Sequence, residues 1–216
     1  MRLVAFDLDG VIINSRETYV KAFCRAVDEL GFSCERLDVE KLLGKPVSEV
    51  VSSLLPDDAG KIRAARQMVN QLVVSEDVLE KIVVSDSAKP CLAELASVPD
   101  INLCLVTNSG IDFTEAVLSH FGLKDYFAAV LTADDDSSKE RRLLRLLEDF
   151  DSKPSKSFYV GDLVYDVGVA RKAGMLSVAV YNPVSWVYPE KERIEAANPD
   201  YLIEDLSQLP AIVSRD

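Results

Sequence analysis

Leu3-Val4-Ala5-Phe6-Asp7-Leu8-Asp9-Gly10-Val11 is the stretch that decides the fold of this chain. Its first four residues form an apolar run typical of a buried strand. Residues i and i+2 of an extended chain point the same way, so Asp7 and Asp9 can face one site beyond the strand. Open α/β sheets place their chemistry at that carboxyl end. Gly10 then permits a sharp turn or a close approach to a ligand.

The Asp-x-Asp-Gly pattern alone leaves two other interpretations open. A solvated turn is common in a chain with 36 acidic residues. A calcium loop would continue with further oxygen ligands and a late glutamate, whereas Val11-Ile12-Ile13 follows here. The residues at the ends of the other predicted strands are therefore needed to distinguish a solvated turn from a functional site.

Composition predicts a soluble globular protein with one large domain, or one domain and a small insert. The chain has 216 residues, of which 48% are hydrophobic and 28% charged. It contains no run of 18 apolar residues and no basic-then-apolar leader, so we expect no membrane span and a cytoplasmic location. The net charge of −12 disfavours nucleic acid and anionic membranes as partners. A small anionic substrate stays compatible, because a bound cation can reverse the local field.

Cysteine and histidine usage narrows the chemistry. Cys24, Cys34, Cys91 and Cys104 show no close pairing pattern, and Cys104 lies inside an apolar run, which predicts a reduced protein. His120 is the only histidine and is expected at the surface or in packing. This argues against a serine–histidine pair and against a multi-histidine metal site.

Five apolar runs predict buried parallel strands, at residues 3–6, 103–106, 129–131, 158–160 and 177–180. Helical patterns at 90–97, 113–121, 140–150 and 166–173 separate most of them, and Gly174 suits a helix end. Alternating strands and helices favour a doubly wound, mainly parallel α/β sheet with right-handed crossovers.

Residues 15–84 are too many for one crossover connection, and they predict a small α-helical cap domain. Asn14 and Glu17 have capping-box spacing, and apolar residues recur at helical spacing until Gly31. Helical segments are also expected at 38–43, 47–55 and 62–73. The core catalytic domain would then comprise residues 1–14 and 85–216, with the cap lying over the site as a lid.

Polar groups follow two further predicted strands. Thr107 and Asn108 come after 103–106 and offer a hydroxyl, an amide and backbone N–H groups to a phosphoryl oxygen. Asp162 ends the fourth strand, and Asp166 lies one helical turn on, so both can face the same way. Taken alone, Thr107-Asn108 favours an ordinary turn, and Gly161-Asp162 is also typical of a solvated turn.

Lys139, at the start of the 140–150 helix, is the lysine best placed to neutralise a phosphate at this edge. Lys153 and Lys156 are competitors, but both follow that helix. Carboxylates converging on one edge would repel one another unless a divalent cation joined them, and oxygen ligands beside a phosphate favour Mg²⁺. The joint order of these groups, each at a strand exit, favours a site over a set of unrelated turns.

These motifs resemble those of the haloacid dehalogenase-like (HAD) hydrolase superfamily. The resemblance covers nearly the whole chain. Within the superfamily it is closest to phosphatases with a helical cap after the first motif, of the phosphoglycolate phosphatase and β-phosphoglucomutase type. It implies a Rossmann-like sheet whose last strand lies in Asn198-Pro199-Asp200-Tyr201-Leu202-Ile203. The matching motifs are Asp7-Leu8-Asp9-Gly10-Val11, Thr107-Asn108, Lys139, Gly161-Asp162 with Asp166, and Arg171-Lys172-Ala173-Gly174-Met175.

The resemblance also implies roles. Asp7 would be the nucleophile that takes the phosphoryl group, and Asp9 would protonate the leaving oxygen and then activate water. Because the dehalogenases of the superfamily lack an acid at the position of Asp9, dehalogenation is not expected. Phosphoryl oxygens would be bound by Thr107, Asn108 and Lys139, and Mg²⁺ by a carboxylate of Asp7, the backbone carbonyl of Asp9, Asp162 and Asp166.

The chain departs from the family pattern in three places. Lys139-Glu140 stands where Lys-Pro is common, and Ser87-Ala88 stands where Pro-Gly is common. Asn182-Pro183-Val184-Ser185-Trp186 replaces a glycine-containing loop. These departures leave the core chemistry intact.

The cap is expected to choose the substrate. Leu43-Gly44-Lys45-Pro46 resembles a cap loop that points into the site, so Lys45 can contact a second anionic or hydroxyl group, and Arg16 at the hinge can face the site. We expect a Mg²⁺-dependent phosphomonoester phosphatase, a monomer or homodimer, acting on a small phosphorylated metabolite through an aspartyl-phosphate. The alternatives are a phosphosugar mutase and a non-enzymatic phospho-accepting binding or signalling module.

Overall fold

A computed structural model describes residues 1–136 and 138–215 of the chain. In chain order the strands are β1 (Arg2–Phe6), β2 (Ile13–Asn14), β3 (Val83–Val84), β4 (Ile101–Val106), β5 (Ala129–Leu131), β6 (Phe158–Gly161), β7 (Leu176–Val180) and β8 (Tyr201–Ile203). The α-helices are α1 (Arg16–Glu29), α2 (Arg36–Glu40), α3 (Val47–Leu54), α4 (Ala59–Val73), α5 (Glu76–Leu79), α6 (Ala88–Ala96), α7 (Ile111–His120), α8 (Lys139–Asp149), α9 (Val164–Lys172), α10 (Lys191–Ala196) and α11 (Leu209–Val213). Short 3₁₀ helices span Lys124–Tyr126, Pro154–Lys156 and Leu206–Gln208.

Six strands form one parallel sheet in the order β5–β4–β1–β6–β7–β8. The side chains of β1 alternate between two apolar clusters, as strand geometry requires. Val4 and Phe6 pack with residues of α6, α7 and α11, whereas Leu3 and Ala5 pack with residues of α8 and α9. Helices therefore cover both faces, and the predicted doubly wound, Rossmann-like α/β fold is confirmed.

The predicted strands and most predicted helices are present, with ends shifted by one to a few residues. The predicted capping box at the start of α1 was wrong. Ser15, not Asn14, is the residue that precedes this helix, and the Ser15 side chain makes no capping hydrogen bond. Asn14 instead belongs to β2, where its Oδ1 accepts a hydrogen bond from Arg16 N at 3.4 Å. Glu17 pairs with Arg36 rather than with the helix start.

Helices α1 to α5 lie between β2 and β3, which pair antiparallel to form a two-stranded ribbon. The ribbon lies where the sequence divides the core from the insert, and the domain division itself stays a prediction. Gly31 follows α1 with φ of +83°, and Phe32 N donates to Val27 O at 3.2 Å, which closes the helix end. Within residues 1–136 and 138–215, every helix is too short or too polar to cross a membrane.

The sheet aligns the ends of three neighbouring strands. Phe6 of β1 is level with Leu105 of β4 and with Val160 of β6. Asp7 N extends the ladder by donating to Val160 O at 2.8 Å. The residues that follow β1, β4 and β6 therefore emerge side by side at one edge, as the central strand of an open sheet dictates.

Candidate active site

Asp7, Lys139 and Asp166 form a buried ionic cluster at this edge. Lys139 Nζ lies 2.7 Å from Asp7 Oδ2 and 2.9 Å from Asp166 Oδ1. Only 2% of the Lys139 surface is exposed, although lysine is the first residue of α8. Removing one member of a buried ion pair leaves an uncompensated charge, so the three side chains hold one another in place.

Burial and neighbouring charges shift the pKa values of Asp7 and Lys139. Burial raises the pKa of the Asp7 carboxyl to about 7, the Lys139 ammonium lowers it, and the carboxylates of Asp166 and Asp9 raise it further. For Lys139, burial lowers the pKa, but the neighbouring carboxylates of Asp166 and Asp7 outweigh it and hold the pKa well above its usual range. Lys139 is therefore cationic at neutral pH.

Asp9 is surrounded by hydroxyl groups. Its Oδ1 accepts a hydrogen bond from Ser15 Oγ, and its Oδ2 accepts one from Ser109 Oγ at 2.6 Å and from Thr107 Oγ1 at 3.2 Å. Burial raises the pKa of the Asp9 carboxyl, and these hydrogen bonds oppose the rise. The carboxyl group is thus fixed in position and prepared to hold a proton, which suits a general acid–base role.

Asp7, Asp162 and Asp166 can each offer a carboxylate oxygen, all within 4.8 Å of one another. Asp162 Oδ2 accepts a hydrogen bond from Trp186 N, while its Oδ1 is buried and lacks a partner among the described residues. Burial raises the pKa of Asp162 well above its usual range. Three converging buried carboxylates with one unpartnered oxygen fit a divalent cation, whose preferred ligands are oxygen atoms.

Gly10 is required where the first motif meets Asp162. Its φ is +76°, and a Cβ atom there would lie 2.1 Å from Asp162 Oδ2. Both the left-handed backbone and the lack of space exclude a side chain at this position. The glycine therefore allows the turn after β1 to approach the acid that follows β6.

The side chain of Asn108 links the core to the cap. Asn108 Nδ2 donates to Gly44 O at 2.7 Å, and Asn108 Oδ1 accepts from the Arg142 guanidinium, which also donates to Thr107 O. Arg142 is 1% exposed and lies one turn after Lys139 on α8. Arg142 was not among the predicted site residues, although its spacing of three from Lys139 and of four from Leu146 places it on the buried face of α8.

A cleft separates this edge of the sheet from the helical insert. Lys45 lines it from the cap side. Arg16 lines a neighbouring cleft instead, where its guanidinium donates to Trp186 O and Tyr188 O at 3.3 and 3.2 Å. The first cleft is lined by Asp7, Asp9, Tyr19, Phe23, Leu43, Gly44, Lys45, Val47, Val50, Asn108, Ser109, Leu163 and Trp186.

The structure thus brings together most of the predicted site residues, namely Asp7, Asp9, Thr107, Asn108, Lys139, Asp162 and Asp166, with Lys45 across the cleft and Arg16 outside it. Four further residues at the site were not predicted from the sequence, namely Ser15, Tyr19, Ser109 and Trp186. Ser109 lies two positions after Thr107, the same spacing that selected Asp9, so this signal was available. Tyr19 and Ser109 are hydrogen bonded, 2.8 Å apart, across the cleft.

Comparisons with known proteins agree with this geometry. Residues 4–180 match the family model for haloacid dehalogenase-like hydrolases. Phosphoglycolate phosphatase of Vibrio parahaemolyticus is 28% identical over 228 residues, which is 99% of this chain and 96% of that protein. Pyrophosphatase PpaX of Bacillus mycoides is 28% identical over 216 residues, 98% of this chain and 96% of that protein.

A solved structure shares the fold. The crystal structure of a hydrolase from Pseudomonas syringae has a TM-score of 0.84 and 20% identity, covering 100% of this chain and 99% of that one. The family model spans most of the chain and contains the first, second, third and fourth motifs. The resemblance seen in the sequence is confirmed, and the chain belongs to the haloacid dehalogenase-like hydrolase family.

Proposed function

We propose that the protein is a Mg²⁺-dependent phosphomonoester phosphatase that acts on a small phosphorylated metabolite, of phosphoglycolate or sugar phosphate type, through an aspartyl-phosphate. One observation carries the proposal: Asp7 borders the cleft with its Oδ2 against the Lys139 ammonium, and the hydroxyl-bound Asp9 borders the same cleft. Phosphatase and pyrophosphatase relatives that align over nearly the whole chain support phosphate chemistry.

In the first step, a carboxylate oxygen of Asp7 attacks the phosphorus atom of the bound ester. The bond between phosphorus and the ester oxygen breaks, and Asp9 gives its proton to that leaving oxygen. Lys139 offsets the negative charge that would otherwise keep a carboxylate away from a phosphate. The raised pKa of Asp9 favours the protonated form that this step needs.

In the second step, Asp9 has become a carboxylate and takes a proton from water. The water oxygen attacks the phosphorus atom of the aspartyl-phosphate, the acylphosphate bond breaks, and inorganic phosphate leaves with Asp7 restored. Hydrogen bonds from Ser15, Ser109 and Thr107 hold Asp9 toward the cleft in both steps. The protons and atoms of the two steps sum to ester hydrolysis.

Asp7, Asp162 and Asp166 would hold the Mg²⁺ ion of this proposal, together with the backbone carbonyl of Asp9. When bound, the ion supplies positive charge that keeps these buried carboxylates ionised and offsets the charge of the phosphoryl group. Asp162 Oδ1, buried without a partner in the described chain, is the observation that supports it. In the same proposal, residues 1–14 and 85–216 carry the chemistry and the cap of residues 15–84 selects the substrate.

Inorganic pyrophosphate hydrolysis is a second candidate. Relatives named pyrophosphatase PpaX cover the chain as completely as the phosphoglycolate phosphatases do. Among the described residues that line the cleft, Lys45 is the one cation. It is exposed and can meet the second phosphoryl group of pyrophosphate as readily as a carboxylate of a metabolite.

The test is a rate panel with an aryl phosphate, phosphoglycolate, sugar monophosphates and pyrophosphate. We expect Mg²⁺-dependent release of phosphate by the wild-type protein, none after chelation, and none from Asp7→Asn. Asp57→Asn, an exposed aspartate between α3 and α4, is the matched control and keeps full activity. Full activity of Asp7→Asn, or activity that survives chelation, contradicts the proposal.

A further inference from the structure

The 182–189 loop, which follows β7, lies between the start of α1 and Asp162. It includes the segment whose sequence departs from the family's usual loop, and it holds the only tryptophan of the chain, Trp186. Trp186 lines both the cleft that Asp7 and Asp9 border and the neighbouring cleft that Arg16 borders. The loop therefore connects the start of α1 with Asp162, one of the carboxylates proposed to hold the cation.

On the cap side, Arg16 is hydrogen bonded to the loop. As the first residue of α1, it donates from Nη1 to the backbone oxygens of Trp186 and Tyr188, at 3.3 and 3.2 Å. Its Nη2 lies 3.5 Å from Glu40 Oε1 on α2, which holds the guanidinium from the other side. The ring of Tyr19, one turn along α1, meets the Trp186 ring edge to face at 6.1 Å.

On the core side, the loop is hydrogen bonded to Asp162. Trp186 N donates to Asp162 Oδ2, and Oδ1 of the same carboxylate is buried with no protein partner among residues 1–136 and 138–215. A carboxylate with one oxygen fixed by a backbone donor presents the other oxygen in a defined direction. The position of the Trp186 backbone therefore decides how Asp162 can meet a cation.

Internal hydrogen bonds keep the loop stiff between these two ends. Ser185 Oγ donates to Val180 O at 3.0 Å, and Val184 N donates to Asn182 Oδ1 at 2.9 Å. Tyr188 N donates to Ser185 O at 3.2 Å. A stiff segment transmits a displacement from one end to the other, so a change at Arg16 reaches Trp186 N.

We propose that Arg16 is a positioning residue for the metal site: through the 182–189 loop it keeps Trp186 N on one oxygen of Asp162 and leaves the other oxygen for the cation. The inference rests on the proposed Mg²⁺-dependent function. It gives Arg16 a task that differs from the substrate contact expected from the sequence, since its guanidinium binds backbone carbonyls outside the cleft.

The experiment uses the emission of Trp186 and calorimetry to follow Mg²⁺ binding to the full-length protein without substrate. Removing an outer partner of a metal ligand commonly weakens binding about 10- to 100-fold. Arg16 acts one step further out, so we expect Arg16→Met to raise the Mg²⁺ dissociation constant roughly three- to tenfold. Arg16→Lys, which retains a donor, should restore part of the affinity. Metal-free Arg16→Met should also show stronger acrylamide quenching of Trp186.

Arg25→Met is the matched control, because Arg25 lies on the same helix and pairs only with Glu29 in the described chain, at 2.8 Å. Equal Mg²⁺ affinities and equal quenching for Arg16→Met and Arg25→Met overturn the inference and leave the proposed function standing. A wild-type protein that binds no Mg²⁺ by either measurement instead overturns the proposed function. Weakened binding in Arg16→Met alone, partly rescued by lysine, supports the positioning role.

Discussion

The carboxyl edge of the sheet and the cap face the same cleft, but different forces hold them. On the sheet side, Lys139 is 2% exposed and contacts two carboxylates. On the cap side, apolar residues such as Leu43 and Val50 line the cleft beside an exposed Lys45. Substituting one member of a buried ion pair costs much stability, whereas substituting an exposed side chain costs little.

The two sides of the cleft therefore have different roles in the proposed reaction. The carboxylates proposed to react are fixed in place by the sheet and by one another, as preorganised catalysis requires. The insert meets the core through apolar packing, such as Tyr19 against Phe113, and through polar contacts that include Asn108 with Gly44 and Tyr19 with Ser109. Side chains that line the cleft away from these contacts, such as Lys45, are therefore free to change without moving the buried carboxylates.

Two lysines give the strongest test of this division. Lys139→Met should lower kcat about 10³-fold, because the ammonium offsets charge on both the nucleophile and the phosphoryl group. Lys45→Met should leave kcat within about twofold and raise KM by up to about tenfold, because the proposed function gives Lys45 a contact with the leaving group and none with the reacting atoms. Steady-state kinetics with the best substrate of the panel, read with circular dichroism for folding, measure both.

The division fails if Lys45→Met lowers kcat as strongly as Lys139→Met while KM stays constant. It also fails if Lys139→Met keeps wild-type kcat. The first outcome would mean that the cap shares in the chemistry, and the second that the Lys139 ammonium is not needed for it.

Substitutions at two glycines with positive φ, one in each region, compare how much unfolding free energy each region loses. Gly31, in the cap, has φ of +83° and open space where a Cβ would stand, so Gly31→Ala should cost about 1 kcal/mol of backbone strain. Gly10 has a similar φ, but its Cβ would overlap Asp162, so Gly10→Ala should cost about 3 kcal/mol or more. Urea unfolding of both variants gives the difference, and equal costs would show that the turn beside Asp162 yields easily.

Two arginines of α8 test the contact between core and cap. Arg142 is buried against Thr107 O and Asn108 Oδ1, whereas Arg145 is exposed and pairs with Asp149 at 3.5 Å. Arg142→Met should cost about 2–3 kcal/mol of stability and raise KM, because Asn108 loses the partner that directs its amide to Gly44. Arg145→Met should stay within about 0.5 kcal/mol of wild type. Equal effects of the two variants on stability and KM would remove Arg142 from this role.

The same division explains what the sequence could predict. Strand ends made Asp7, Asp162 and Thr107 visible, because periodicity locates a strand and a parallel sheet aligns its carboxyl ends. Lys139 was visible as the first residue of a helix after a strand. These are local patterns, and the sheet converts them into proximity.

Contacts between distant segments could not be predicted in this way. Arg16 was expected to face the site, but its guanidinium binds the 182–189 loop, whose path depends on tertiary packing. The capping box at Asn14 failed for the same reason, since β2 pairs with β3 and holds Asn14 extended. Periodicity says which face of a helix is buried and nothing about which loop it meets.

The smallest expected effect lies away from both regions. Asp200, before β8, accepts hydrogen bonds from Ser177 N and Ser177 Oγ at 2.8 and 2.7 Å. Burial raises the pKa of its carboxyl, but these hydrogen bonds outweigh burial and hold the pKa below the ordinary value. Because Asp200 is largely exposed and solvent screens its charge, Asp200→Asn should cost only about 1 kcal/mol at neutral pH.

The pH dependence of this cost follows from the direction of the shift. A carboxyl whose pKa is lower in the folded protein stabilises the fold fully above its unfolded pKa, near 3.9, and loses that contribution as pH falls through the folded pKa. The stability gap between wild type and Asp200→Asn should thus be constant from about pH 5 to 7 and shrink below about pH 4. Urea unfolding across this range measures it, with exposed Asp125→Asn as the control. A gap that grows toward acid pH would mean that the Ser177 hydrogen bonds favour the protonated acid, which is the opposite of the geometry seen here.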